Sequence, residues 1–146
     1  MDTEDFRIFV TDNSGWFHSD SQETIEDIRY FEQEIGFELS ASIKWLLTEY
    51  GYSESCGLDK LSSSVYTTLE LRKTIDLPEH VFILANWNDE RVVLMLAGRP
   101  EIICCEMEDL YNYAESGSFP KSIDIFDNYP VWVQHRLEQE NEAFQY

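Results

Sequence analysis

Apolar side chains recur along this chain with a helical rhythm at first and a strand-like one later. In DSQETIEDIRYFEQEIG, residues 20–36, Ile25, Ile28, Phe31 and Ile35 fall at near-helical spacing. Asp20 with Glu23 three residues on suggests a capped start and Gly36 a stop, which together predict an amphipathic helix. A joint of Phe37, Glu38 and Leu39 leads to Ser40, a good N-cap. Ile43, Leu46, Leu47 and Tyr50 then lie at i, i+3, i+4 and i+7 before Gly51. So short a joint forces the two helices to pack closely and draws Phe37 and Leu39 into the seam.

Residues 52–66 are rich in Ser, Gly and Cys and suggest a loop with one short strand near Val65. TTLELRKTIDLP reads as a brief helix capped near Thr67 and stopped by Pro78, its β-branched residues leaving a strand as the alternative. The rhythm then changes. HVFILAN and RVVLMLA are apolar runs separated by WNDE, which predicts a hairpin with an Asn-Asp turn, and EIICCEM supplies a third strand. Their near-continuous apolarity predicts a sheet covered on both faces. DNYPVWVQHRLEQENEAF predicts a last helix, with Asp127 or Asn128 as cap, Pro130 in the first turn, and Val133, Leu137 and Phe144 facing inward. The predicted class is α+β: an N-terminal helical hairpin and a C-terminal helix packed around a mainly antiparallel sheet, in one domain spanning residues 1–146.

Composition agrees with a folded domain, since 43% of the 146 residues are hydrophobic and 21 are aromatic, whereas acidic disordered chains lack aromatics. Charge adds a further constraint. The formal net charge is −19, spread unevenly: 13 acidic and 3 basic residues over 1–55, 6 and 5 over 56–100, and 10 and 2 over 101–146. Such a field repels nucleic acid and anionic membranes and steers basic proteins in, while also serving plain solubility. No apolar run approaches the roughly 18 residues of a membrane span, and the opening MDTEDFRIFV is acidic where a secretory leader is basic. The expected compartment is the cytoplasm. Cys56, Cys104 and Cys105 cannot all pair, and on a strand the vicinal two point to opposite faces, so free thiols are expected.

Signatures of catalysis are sparse. The glycines at 15, 36, 51, 57, 98 and 117 fit neither phosphate-binding spacing, and no G-x-S-x-G elbow occurs. His18, His80 and His135 are far apart with no second ligand at helical spacing, so neither metal nor cofactor is implied. With 29 acidic residues, a hydrolase built on two carboxylates is the remaining catalytic alternative, and it has little support. Two stretches concentrate exposed chemistry: NWNDER, with Trp87, Asp89 and Glu90, and EMEDLYNY, with Glu106, Glu108, Asp109 and Tyr111. Aromatic rings beside carboxylates suit a protein interface, the ring burying area while the acids pair with Lys or Arg. The competing reading is that Trp87 packs the hairpin end and the acids form a solvated face.

IEDIRYFEQEIGFELSASIKWLLTEYGY, about 28 residues, resembles the N-terminal signature of the SUKH superfamily, a group that includes a fungal cell-wall assembly regulator. Ile25, Ile28, Phe31, Glu34, Ile35 and Gly36 match its acidic helix, Leu39 its leucine, and Lys44, Trp45, Leu46, Leu47, Tyr50 and Gly51 its aromatic-rich second helix. Ser40 replaces the usual proline, and GYSES replaces the family's glycine-rich continuation. Beyond residue 52 the likeness is one of element order. The resemblance implies an immunity protein, an antitoxin that binds and blocks a cognate polymorphic toxin, many of which are nucleases. A nuclease must be basic to hold phosphates, so an acidic globule is a fitting inhibitor. A regulatory adaptor for a cellular protein, as suggested for fungal relatives, is the alternative. The oligomeric state is left open.

Overall fold

In a computed structural model, residues 2–17, 21–53 and 56–144 are described, with side chains to residue 140. Six helices and a four-stranded antiparallel sheet make up the described residues, an α+β fold as the sequence predicts. Helices α1 (Thr3–Asp12), α2 (Ile25–Ile35), α3 (Ala41–Glu49) and α4 (Leu61–Thr74) come first. Strands β1 (Val81–Trp87), β2 (Arg91–Leu96) and β3 (Ile102–Glu106) follow, then α5 (Met107–Ser116), β4 (Asp124–Phe126) and α6 (Tyr129–Phe144). The strands lie in the order β1-β2-β3-β4.

Side-chain alternation splits the core in two. Phe82, Val93, Met95, Ile102 and Cys104 face one way, onto α1, α2, α3 and α6; Val81, Ile83, Val92, Leu94, Ile103 and Cys105 face the other, onto α5 and Leu77. Cys104 and Cys105 therefore sit on opposite faces, and all three cysteines are free. The sheet's near-continuous apolarity is explained by this double cover.

The helical hairpin follows its pattern closely. Gly36 ends α2 in the left-handed conformation at φ 68°, and Ser40 precedes α3. Phe37 and Leu39 are buried in the seam, as are Ile43, Leu46 and Leu47. Two details differ. Helix α2 starts at Ile25 and is capped by Thr24, whose side chain accepts from the Asp27 N–H at 3.1 Å; Asp20 lies outside the described residues. Ile25, in that first turn, is 56% exposed. At Gly51, φ is 97° and a Cβ would run into the Ser21 carbonyl, so only glycine fits between the hairpin and its preceding loop.

The larger departure is α4. It begins at Leu61, six residues before the expected Thr67, and Val65 lies inside it and is buried, so the expected loop and strand near Val65 are replaced by helix. One of the serines that suggested a loop, Ser64, faces the sheet edge, as does Thr68. Ser64 Oγ donates to the Leu84 carbonyl at 2.8 Å; Thr68 Oγ1 accepts from the Ile83 N–H at 3.1 Å and donates to the Ser64 carbonyl at 2.8 Å. Hydroxyls at helical spacing thus satisfy the outer edge of β1, which would otherwise invite another strand.

Helix α1, to which the hydrophobic pattern assigns nothing, is capped by Asp2 and buries Phe6 and Val10 completely. Helix α5 and strand β4 are also additional to the elements read from the pattern. Helix α6 is held as expected. Asn128 Oδ1 accepts from the Val131 N–H at 2.9 Å, Tyr129 donates to the Cys56 carbonyl at 2.7 Å, and Trp132 Nε1 donates to Cys104 Sγ at 3.0 Å. Val133 and Leu137 are buried, while the Phe144 side chain is outside the described part. Gly57, at φ 66°, lies flat against Trp132, where any Cβ would enter the indole ring.

Candidate interaction groove

Two chain reversals meet at one end of the sheet. The β1–β2 hairpin turns through Asn88 and Asp89, both left-handed at φ 57° and 60°, a conformation these short polar residues tolerate. Asn86 clamps the turn: its Oδ1 accepts from the Asp89 N–H and its Nδ2 donates to the Asp89 carboxylate, both at 2.9 Å. Beside it, β3 passes into α5 with no loop, so Glu106 both ends the strand and caps the helix. The Glu106 N–H donates to Asp109 Oδ2 at 3.1 Å, and the Met107 N–H donates to the Glu90 carbonyl at 2.8 Å, tying α5 to the hairpin. Glu108 and Asp109 lie in the first turn of α5, where the helix dipole favours anions.

A groove of about 580 Å³ opens between these reversals, lined by Asp89, Glu90, Arg91, Glu106, Met107, Glu108 and Tyr111. Five of the seven residues singled out in the sequence therefore converge: Asp89, Glu90, Glu106, Glu108 and Tyr111. Four carboxylates face a single guanidinium. Arg91 reaches Asp124 instead, at 3.7 Å and in an exposed pair that contributes little, and among the described residues none of the four groove carboxylates forms an ion pair. Tyr111 is 45% exposed and lies at the rim. Arg91 and Met107 complete the lining, and both sit inside the two stretches that drew attention.

Asp109 belongs to the same turn but closes the helix start. Trp87 lies elsewhere. A bulge between Ile83 and Ala85 shifts the β1 register, so that Leu84 and Ala85 face the same core and the alternation beyond them is inverted. Trp87 consequently packs half-buried against the face covered by α1, α2, α3 and α6, under the Arg136 guanidinium at 5.4 Å, away from the acids. Without the bulge, strand alternation would have aimed it to the α5 side. Tyr113, next to the singled-out Tyr111, is buried, hydrogen-bonded to His80 at 2.6 Å and stacked on Phe119.

Other reactive groups are sequestered. Burial pushes the Cys56 and Cys105 thiols up to about 12 and the Cys104 thiol to about 11. Among the described residues no group of three or more His, Cys, Asp or Glu is placed to hold a metal ion, and no helix is long and apolar enough to cross a membrane. Set against protein-family models, curated proteins and solved structures, the chain has no match in any of the three.

Proposed function

We propose that this protein is an inhibitor that binds a basic partner through the acidic groove, an immunity protein for a cognate toxin domain of nuclease type. The observation that carries the reading is the convergence of Asp89, Glu90, Glu106 and Glu108 on one concave surface beside a single guanidinium, Arg91, which among the described residues pairs with Asp124 and with none of the four. Four carboxylates beside one guanidinium repel one another, and a Lys or Arg side chain entering the groove relieves that repulsion while burying its stem against Met107 and Tyr111. The net charge of −19 adds long-range attraction for a basic domain. The mechanism is occlusion of the partner's phosphate-binding surface without turnover.

The resemblance of residues 25–52 to the SUKH signature supplies the toxin context and is itself part of the proposal. The test is co-expression of this chain with the C-terminal domain encoded by the neighbouring gene, scored as cell survival. Rescue with a co-purifying complex is the expected result. Killing that this chain fails to prevent would rule out that pair, and a harmless neighbour would favour the adaptor reading.

A further inference from the structure

A second concave surface has the opposite character. Helices α2 and α3 face each other with matched stripes, each contributing positions i, i+3, i+4 and i+7, starting at Ile25 on one and at Ala41 on the other. The groove between them is lined also by Arg7 of α1 and has a volume of about 340 Å³. Its apolar lining is Ile25, Ile28, Ala41 and Trp45, and its charged lining is Arg7, Arg29, Lys44 and the single carboxylate of Glu32. The three cations are the only basic residues among the first 55, a segment that also holds 13 acids. In so acidic a segment, their gathering on one apolar groove calls for an explanation other than solubility.

Of the three cations, Lys44 is paired within the chain and, among the described residues, the two arginines are not. Lys44 pairs with Glu32 at 3.6 Å and Glu38 at 3.4 Å, and the Glu32 carboxylate also accepts the Leu39 N–H at 2.8 Å, which holds the joint between the helices. Arg7 and Arg29 are exposed and have no ion-pair partner among the described residues. The Arg7 guanidinium rests over the Trp45 ring, 5.6 Å from its centroid, which fixes the fork above an aromatic floor.

We infer that the α2–α3 groove is a binding site for a small organic anion, a carboxylate or phosphate carried on a flat apolar body. The guanidiniums of Arg7 and Arg29 present the forked donors that such groups accept, while Lys44 offsets the charge of Glu32 in the lining. The body lies on Ile28, Ala41 and the Trp45 edge. Size and charge select this class of ligand: the volume is at the lower end of the roughly 300–1,000 Å³ of ligand sites, and a polyanion or an acidic protein surface would meet the repulsion of the whole molecule. A small anion meets mainly the local cations, since charges beyond roughly 8 Å are screened at physiological salt.

The test is a titration followed by ¹H–¹⁵N NMR, using benzoate, phenyl phosphate and uncharged benzamide as probes, with the Trp45 indole signal assigned through Trp45→Phe. Saturable shifts confined to the groove are expected with at least one of the two anions, and none with benzamide. Arg7→Gln and Arg29→Gln should each weaken binding about tenfold or more by removing a charge-assisted donor, while Arg99→Gln, remote from the groove, leaves it unchanged. Both altered side chains are exposed, and unshifted signals elsewhere verify folding. Equal binding of benzamide, unweakened binding by Arg29→Gln, or no saturable shift with either anion would overturn the assignment. Which anion binds distinguishes a carboxylate from a phosphate ligand. The acidic groove's partner is not involved, so this result stands apart from the co-expression assay.

Discussion

Glu90→Gln with Glu108→Gln removes two of the groove's charges while keeping the size of both side chains. Neither side chain makes an ion pair among the described residues, and both are exposed, so the main stability cost is loss of the Glu108 charge from the first turn of α5, about 0.3–1 kcal/mol. Binding should respond differently. An exposed ion pair contributes about 0.2–1 kcal/mol, so loss of two weakens the complex by about 2- to 30-fold, mostly through slower association, and flattens its dependence on salt. Asp109→Ala makes the contrasting variant. It removes the acceptor for the Glu106 N–H at the start of α5, which costs about 0.5–2 kcal/mol and lowers Tm by roughly 2–8 °C. Titration of the co-purified partner at two salt concentrations, beside thermal unfolding of each variant, separates the two effects. Unchanged affinity and salt dependence in the double variant would refute the role given to the groove.

Three further outcomes follow from the packing. Thr68→Val leaves the Ile83 N–H without its acceptor at a fully buried position, so thermal unfolding should show a loss of about 1–3 kcal/mol, which Thr68→Ser largely avoids. The three thiols, pushed by burial to about 11–12, should react with Ellman's reagent in minutes only after unfolding in guanidinium. Burial and then Asp27 raise the Glu23 carboxyl above its ordinary value. The folded state therefore holds that proton more tightly than the unfolded chain, and stability falls as pH rises through the unfolded value towards the folded one. Glu23→Gln removes this dependence, so its unfolding midpoint should gain on the parent's as pH rises from about 4 to 7 and coincide with it in stronger acid.

Much of this architecture was legible in the sequence because local pattern and tertiary role coincide. In α2 and α3 the residues that keep the helical period also fill the core, and Gly36 supplies the left-handed stop. The strands announce themselves through continuous apolarity, and Asn88 and Asp89 through turn chemistry. Helix α4 was obscured because Ser64 and Thr68 serve a sheet edge, so tertiary hydrogen bonds override a composition that locally reads as loop. Helix α5 was hidden because Glu106 ends a strand and caps a helix with no intervening loop. The acidic members of the groove were found because aromatics beside carboxylates mark both their stretches, whereas their meeting at one end of the sheet depends on the β2–β3 pairing, which no local pattern gives. Trp87 was misplaced by a one-residue bulge at Leu84, for which no glycine or proline gives warning.

The most direct test of the groove as the binding surface is amide hydrogen exchange on the complex with the toxin domain that this chain neutralises in co-expression. Slowed exchange confined to residues 86–91 and 105–112 is the expected footprint; protection centred on α2 and α3, with the hairpin turn and the start of α5 unchanged, would contradict it.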